Sequence, residues 1–79
     1  MRALCLVTIK PGTIDKVVEL LLKKRKTVGE VLPVTGRADI CVIMYGVIDD
    51  INTTVMDFKK ISNIVGTETL MEMEVDLGW

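Results

Sequence analysis

The sequence predicts an α+β domain of order βαββαβ, a four-stranded antiparallel sheet with two helices on one face. Three observations carry this. Two segments repeat apolar residues at helical spacing. Four others are β-branched-rich or alternate apolar with polar residues. Short connections holding Gly, Pro or Asn separate them. The halves echo each other as strand, helix, strand, and right-handed crossovers put both helices on the same face. This is the ferredoxin-like, or split βαβ, arrangement.

The first strand is expected over Ala3 to Lys10, rich in Leu, Val, Ile and Thr, and Pro11-Gly12 ends it. Thr13 is positioned to cap a first helix over Ile14 to Lys24. Ile14, Val17, Val18 and Leu21 form its apolar stripe at i, i+3, i+4 and i+7. Asp15 falls in the first turn and the lysines in the last, as the helix dipole favours, and Glu19 and Lys23 stand at i, i+4. The second strand is read over Val28 to Thr35. Pro33 cannot donate to a ladder, which places this strand at an edge or a bulge.

Ile40 to Tyr45 forms the third strand. Its near-continuous apolar run predicts burial on both faces, one against helices and one against another sheet. Asp49 or Asp50 is expected to cap the second helix, which presents Ile51, Val55, Phe58 and Ile61 or Ser62. Asn63 and Gly66 mark its exit. The fourth strand is read over Thr67 to Val75, with Thr67, Thr69, Met71 and Met73 alternating against Glu68, Leu70, Glu72 and Glu74.

The 79 residues make one small domain, 49% hydrophobic with one Phe, one Tyr and one Trp. The core must therefore be aliphatic. A mean hydropathy of +0.42 is high for a chain this short. Surface-to-volume scaling leaves such a domain too little interior, and the sheet face without helices is the place for a second subunit. A net charge of −1 argues against a nucleic-acid surface. The cluster Lys23-Lys24-Arg25-Lys26 reads better as a solvated helix end than as a phosphate-binding patch. No apolar run approaches the ~18 residues of a membrane span. The N-terminal stretch reads as a strand rather than a signal peptide, which leaves the cytoplasm as the expected location.

Catalytic machinery is thin. The chain has no histidine, and Ser62 has no base in view. Cys5 and Cys41 lie inside apolar runs and read as buried thiols, so neither a metal nor another cofactor is expected. Glu68, Glu72 and Glu74 share one strand face, which alternation alone produces without a metal. Asp49-Asp50-Ile51-Asn52 lacks the glycine and closing glutamate of a calcium loop, and helix capping accounts for it. Acylphosphatases share the topology, but their N-terminal phosphate loop with its arginine has no counterpart here.

The connection between the middle strands is the distinctive stretch. Thr35, Gly36, Arg37 and Ala38 lead to Asp39, an acid directly before an apolar strand. Such a carboxylate must be hydrogen-bonded or open to a cleft. Bonding the backbone of its own turn, at Gly36 or Arg37, is one outlet, and a ligand is the other.

Leu32-Pro33-Val34-Thr35-Gly36-Arg37-Ala38-Asp39-Ile40-Cys41-Val42 resembles the Val-x-Gly-x-x-Asp signature of the effector-binding domain of Lrp/AsnC transcription regulators, the RAM (regulation of amino acid metabolism) domain. Pro11-Gly12, Phe58 and Val65-Gly66-Thr67-Glu68-Thr69, which resembles the family's Gly-Val-x-x-Thr-x-Thr pattern, fall at matching places. The regulators carry an N-terminal helix-turn-helix, which these residues do not contain, so the closer resemblance is to stand-alone RAM-domain proteins. Many members place an aromatic before the aspartate where this chain has Ala38, which implies a roomier or less well closed pocket.

The resemblance implies a dimeric α/β sandwich packed sheet against sheet, rings of dimers such as an octamer, and amino-acid effectors in clefts between dimers, near the Gly-x-x-Asp loop. Backbone N–H groups around Gly36 to Ala38 would then meet the ligand carboxylate and Asp39 its ammonium, with hydroxyls from Thr67 and Thr69. The expected function is a non-catalytic amino-acid-binding module acting with full-length Lrp/AsnC regulators. A purely structural oligomer and, less favoured, an enzyme of the same fold are the alternatives.

Overall fold

The computed structural model describes residues 1–24 and 26–73. Its elements are β1 (Arg2–Ile9), α1 (Ile14–Leu22), β2 (Val28–Pro33), β3 (Ile40–Tyr45), α2 (Ile48–Phe58) and β4 (Ile64–Met71). The sheet order is β2-β3-β1-β4, with every neighbouring pair antiparallel. This is the ferredoxin-like fold the sequence predicts.

Alternation decides the layers. Along β1, Ala3, Cys5, Val7 and Ile9 are buried, and along β3, Ile40, Val42 and Met44. They form one cluster with Val17 and Leu21 of α1 and Ile51 and Phe58 of α2. The residues between them point to the other face: Leu4, Leu6 and Thr8 from β1, Cys41, Ile43 and Tyr45 from β3. Within the chain that face is not covered. Leu4, Leu32 and Leu70 remain 37%, 43% and 49% exposed. Full burial of a leucine stabilises by about 1.5–3 kcal/mol, so roughly 1 kcal/mol at each is unrealised in the single chain. The expected burial of β3 on both faces is therefore seen on the helix side alone.

Several boundaries differ from the sequence reading. Helix α1 stops at Leu22, with Lys23 as its C-cap, so the lysines follow the helix rather than filling its last turn. Thr13 occupies the N-cap, but its hydroxyl donates to Lys10 O (2.7 Å) while its carbonyl accepts from Val17 N (3.0 Å). Helix α2 starts at Ile48 behind an extended Val47, which places Asp49 and Asp50 in the first turn instead of at the cap. Strand β2 ends at Pro33, two residues before Thr35, and is an edge strand, as its proline requires.

Strand β4 begins at Ile64, three residues earlier than expected. Gly66 lies inside it opposite Thr8, beside the register shift between Thr8 and Ile9. Pairing with β1 thus overrides glycine's weak strand preference, and the bulge accommodates it. The strand ends at Met71, so Glu72 and Met73 follow it instead of extending it, and the expected continuation through Glu74 and Val75 lies outside the described residues.

A second irregularity was not read from the sequence. The β2–β3 register shifts between Val28 and Glu30, and the Tyr45 ring packs on the intervening Gly29, where a side chain would collide with it. Among the described residues, no helix is long and apolar enough to cross a membrane.

Phe58 is fully buried and is the largest such side chain among the described residues. Phe58→Ala is expected to cost about 3–5 kcal/mol, read as a lower denaturation midpoint at unchanged slope.

Candidate functional site

Strand β3 turns away from β1 just before Ile40, and Asp39 manages the break. Its backbone N–H donates to Val7 O (2.9 Å), and its carbonyl accepts from Val34 N (2.9 Å), closing the β2–β3 connection. Two residues further along β1, the N–H of Ile9 has lost its main-chain partner. The Asp39 carboxylate substitutes for it, Oδ2 accepting from Ile9 N at 2.9 Å in a partly buried setting. The brace therefore reaches to the neighbouring strand rather than to Gly36 or Arg37. On the other edge of β1, Lys10 N donates to Asn63 O (2.9 Å).

Gly36 has φ +111°, a backbone setting that side chains resist, and it lets the connection project. Thr35, Gly36 and Arg37 are exposed, whereas Ala38 is buried. Arg37 and Ala38 form one wall of an open hollow of about 260 Å³. Leu6 and Thr8 of β1 make its floor, and Gly66, Thr67 and Glu68 of β4 its opposite wall. Of the residues singled out by the sequence, the hollow brings together Arg37, Ala38 and Thr67. Thr35, Gly36, Asp39 and Thr69 do not line it.

Thr69 sits opposite Cys5 on the helix-facing side of the sheet, its Oγ1 donating to Cys5 Sγ at 3.7 Å. Burial pushes the Cys5 thiol up, and the bond from Thr69 offsets part of that. The thiol is thereby held as a small apolar group. Cys41 is half-buried on the uncovered face, not fully enclosed as expected.

The sequence reading did not include Leu6, Thr8, Gly66 or Glu68 in the site. Period-two alternation puts Leu6 and Thr8 on the side opposite Cys5 and Val7, which is legible. The register that sets Leu6 against Glu68 and Thr8 against Gly66 is not.

Elsewhere among the described residues three ion pairs form on the surface. Arg2 binds Glu72 at 2.7 Å, which raises the guanidinium's already high pKa and ties the start of β1 to the residue after β4. Glu74 lies outside the described residues. Among them, no group of three or more acidic, Cys or His side chains could hold a metal ion. The lysine cluster, with Arg25 outside the described residues, borders a second hollow of about 300 Å³ facing Asp50, Thr53, Thr54 and Asp57 of α2. There Lys24 and Lys60 lie 3.9 and 3.7 Å from Asp57. Thr53 and Thr54 spend their hydroxyl protons on Asp49 O and Asp50 O. That helix wall therefore offers acceptors, a poor lining for a phosphate.

Comparison with solved structures finds the same fold over most of the chain. FFRP-DM1 matches with a TM-score of 0.83 at 24% identity, covering 91% of this chain and 97% of that protein. PHS023 from Pyrococcus horikoshii matches with a TM-score of 0.80 at 25% identity, covering 92% and 90%. AsnC of E. coli matches with a TM-score of 0.75 at 21% identity, covering 94% of this chain and 51% of its own. The structural neighbours thus include proteins of the Lrp/AsnC family. No protein-family model matches the chain, and no curated protein sequence does. At these identities the likeness establishes the fold.

Asp39→Ala is expected to destabilise the protein by about 1–3 kcal/mol, because it leaves the Ile9 N–H partly buried without an acceptor. Asp39→Asn retains an acceptor oxygen and should recover more than half of that loss. Urea unfolding of the two variants checks the ordering.

Proposed function

We propose that this chain is a non-catalytic, oligomeric binding module of the RAM type, a domain that takes up an amino acid or similar small molecule. Its regulatory action runs through association with full-length Lrp/AsnC regulators in the cytoplasm. The observation that carries this reading is the hollow beside the Gly36 connection. It is concave, has opposite charges on its two walls, and borders a sheet face whose leucines need a cover.

A second copy supplies that cover most economically. The face is apolar across three strands, with Leu4, Leu32 and Leu70 exposed on it, and a two-fold contact would set this patch against its own copy. For a non-catalytic role, the support is chemical. The chain lacks histidine, and the titratable side chains lining the hollow are an exposed arginine and an exposed glutamate. Neither is in a setting that builds a general base.

Thermal unfolding in the presence of each of the twenty amino acids tests the binding reading. A ligand at 100 times its Kd stabilises by about 2.7 kcal/mol, which for a domain of this size raises Tm by roughly ten degrees or more. No shift with any of them rejects it. Sedimentation tests the assembly. The wild type should run as a dimer or larger at micromolar concentration, and Leu70→Lys should lower that mass while its circular dichroism stays folded. A wild type that sediments as a monomer rejects the oligomer.

A further inference from the structure

We infer that Arg37 and Glu68, rather than Asp39, set the ligand class of the hollow: the carboxylate of an α-amino acid docks on Arg37 and its ammonium on Glu68. This rests on the binding reading above and assigns its charge recognition.

Asp39 is already employed. Its Oδ2 accepts from Ile9 N at 2.9 Å, where a main-chain oxygen would otherwise stand, and Asp39 is not among the residues that line the hollow. Oδ1 keeps acceptor capacity, but the carboxylate stands off the hollow's lining, and swinging it there would take Oδ2 from the Ile9 N–H. Glu68 carries no such duty. It is exposed on β4 and lines the hollow.

Arg37 reaches the same hollow from the β2–β3 connection. Among the described residues, the ion pairs are Arg2–Glu72, Lys24–Asp57 and Lys60–Asp57, and neither Arg37 nor Glu68 is in them. The hollow therefore presents one cationic and one anionic group from separate elements, neither neutralised by the other. A simple anion would meet Glu68 with repulsion, and a simple cation would meet Arg37 in the same way. A ligand with both charges satisfies both walls, which is selection by repulsion as much as by attraction.

Size and lining narrow the class further. The hollow holds about 260 Å³, below the roughly 300–1,000 Å³ of sites that enclose a drug-sized ligand, so what it grips within one chain is a small charged head group. Leu6 and Ala38 give an apolar patch, and the space above Gly66 is open, with no atom within 4 Å of where a Cβ would stand. The side chain that meets this patch is aliphatic, and L-valine is a small representative of it.

Calorimetric titration with L-valine, N-acetyl-L-valine and L-valinamide tests the assignment on wild type, Arg37→Gln, Glu68→Gln and Asp39→Asn. Wild type should bind L-valine and lose at least about tenfold in affinity for each blocked analogue, the scale of one charge-assisted bond. Glu68→Gln and Arg37→Gln, both at exposed positions, should each weaken L-valine by a similar factor. Glu68→Gln should in addition no longer discriminate against N-acetyl-L-valine. Asp39→Asn should keep L-valine affinity within about twofold. Wild-type affinity in Glu68→Gln overturns the assignment, as does equal binding of L-valine and its N-acetyl form. A silent wild-type titration with L-valine also overturns it. Failure of all twenty amino acids in the thermal series brings down the wider binding reading as well.

Discussion

Two helices can cover one face of a four-stranded sheet and no more, and the rest of this molecule follows from that constraint. Every second residue of β1 and β3 is driven into a single aliphatic layer against Val17, Leu21, Ile51 and Phe58. Most of the alternate residues are apolar too, yet they face outward: Leu4, Leu6, Cys41, Ile43 and Tyr45, with Arg2 and Thr8 of β1 beside them. A strand that exposes one face to water for its whole life ordinarily alternates apolar with polar. Strand β3 does not, and its composition is that of a strand flanked on both sides. The same surplus appears in the mean hydropathy of +0.42, which one core of this size does not absorb.

Most of the architecture was legible because it depends on local period. The helical stripes, the turn at Pro11-Gly12 and the bounds of β3 all follow from residues close in sequence. What was not legible depends on pairing between distant strands. Gly66 reads as a terminator when taken alone, but inside β4 it sits opposite Thr8 at a bulge, held by ladder bonds that composition does not reveal. Likewise, Asp49 and Asp50 are good capping residues, yet an extended Val47 precedes the first turn and leaves the two acids to serve the helix dipole from inside it.

Asp39 shows both halves of that lesson in one side chain. An acid placed directly before an apolar strand demands a partner, and that much is written in the sequence. Which partner it takes depends on where β3 leaves β1. The strands diverge at Asp39, and Ile9, the next residue of β1 to point its N–H toward β3, would be left unpaired. A carboxylate one side chain's length away completes the ladder. The Gly36 connection can then project without loosening the sheet, which gives the adjacent Arg37 and Ala38 a fixed place from which to form a wall.

The hollow and the uncovered face are not independent features. Leu6, Thr8 and Glu68 belong to both, since the strand positions that floor the hollow are the outward positions of the sheet. Under the proposed assembly, a second copy seated on the leucines would overhang that floor and reduce its access to water. Electrostatic contacts of Arg37 and Glu68 with a ligand would strengthen as the local dielectric falls. By linkage, a ligand that binds the covered hollow more tightly must favour the assembled state by the same factor. The physical route from a small molecule to a regulatory outcome would then need no moving lid. It would need only that the subunit contact use the outward residues of β1 and β4, of which Leu6, Thr8 and Glu68 also line the hollow.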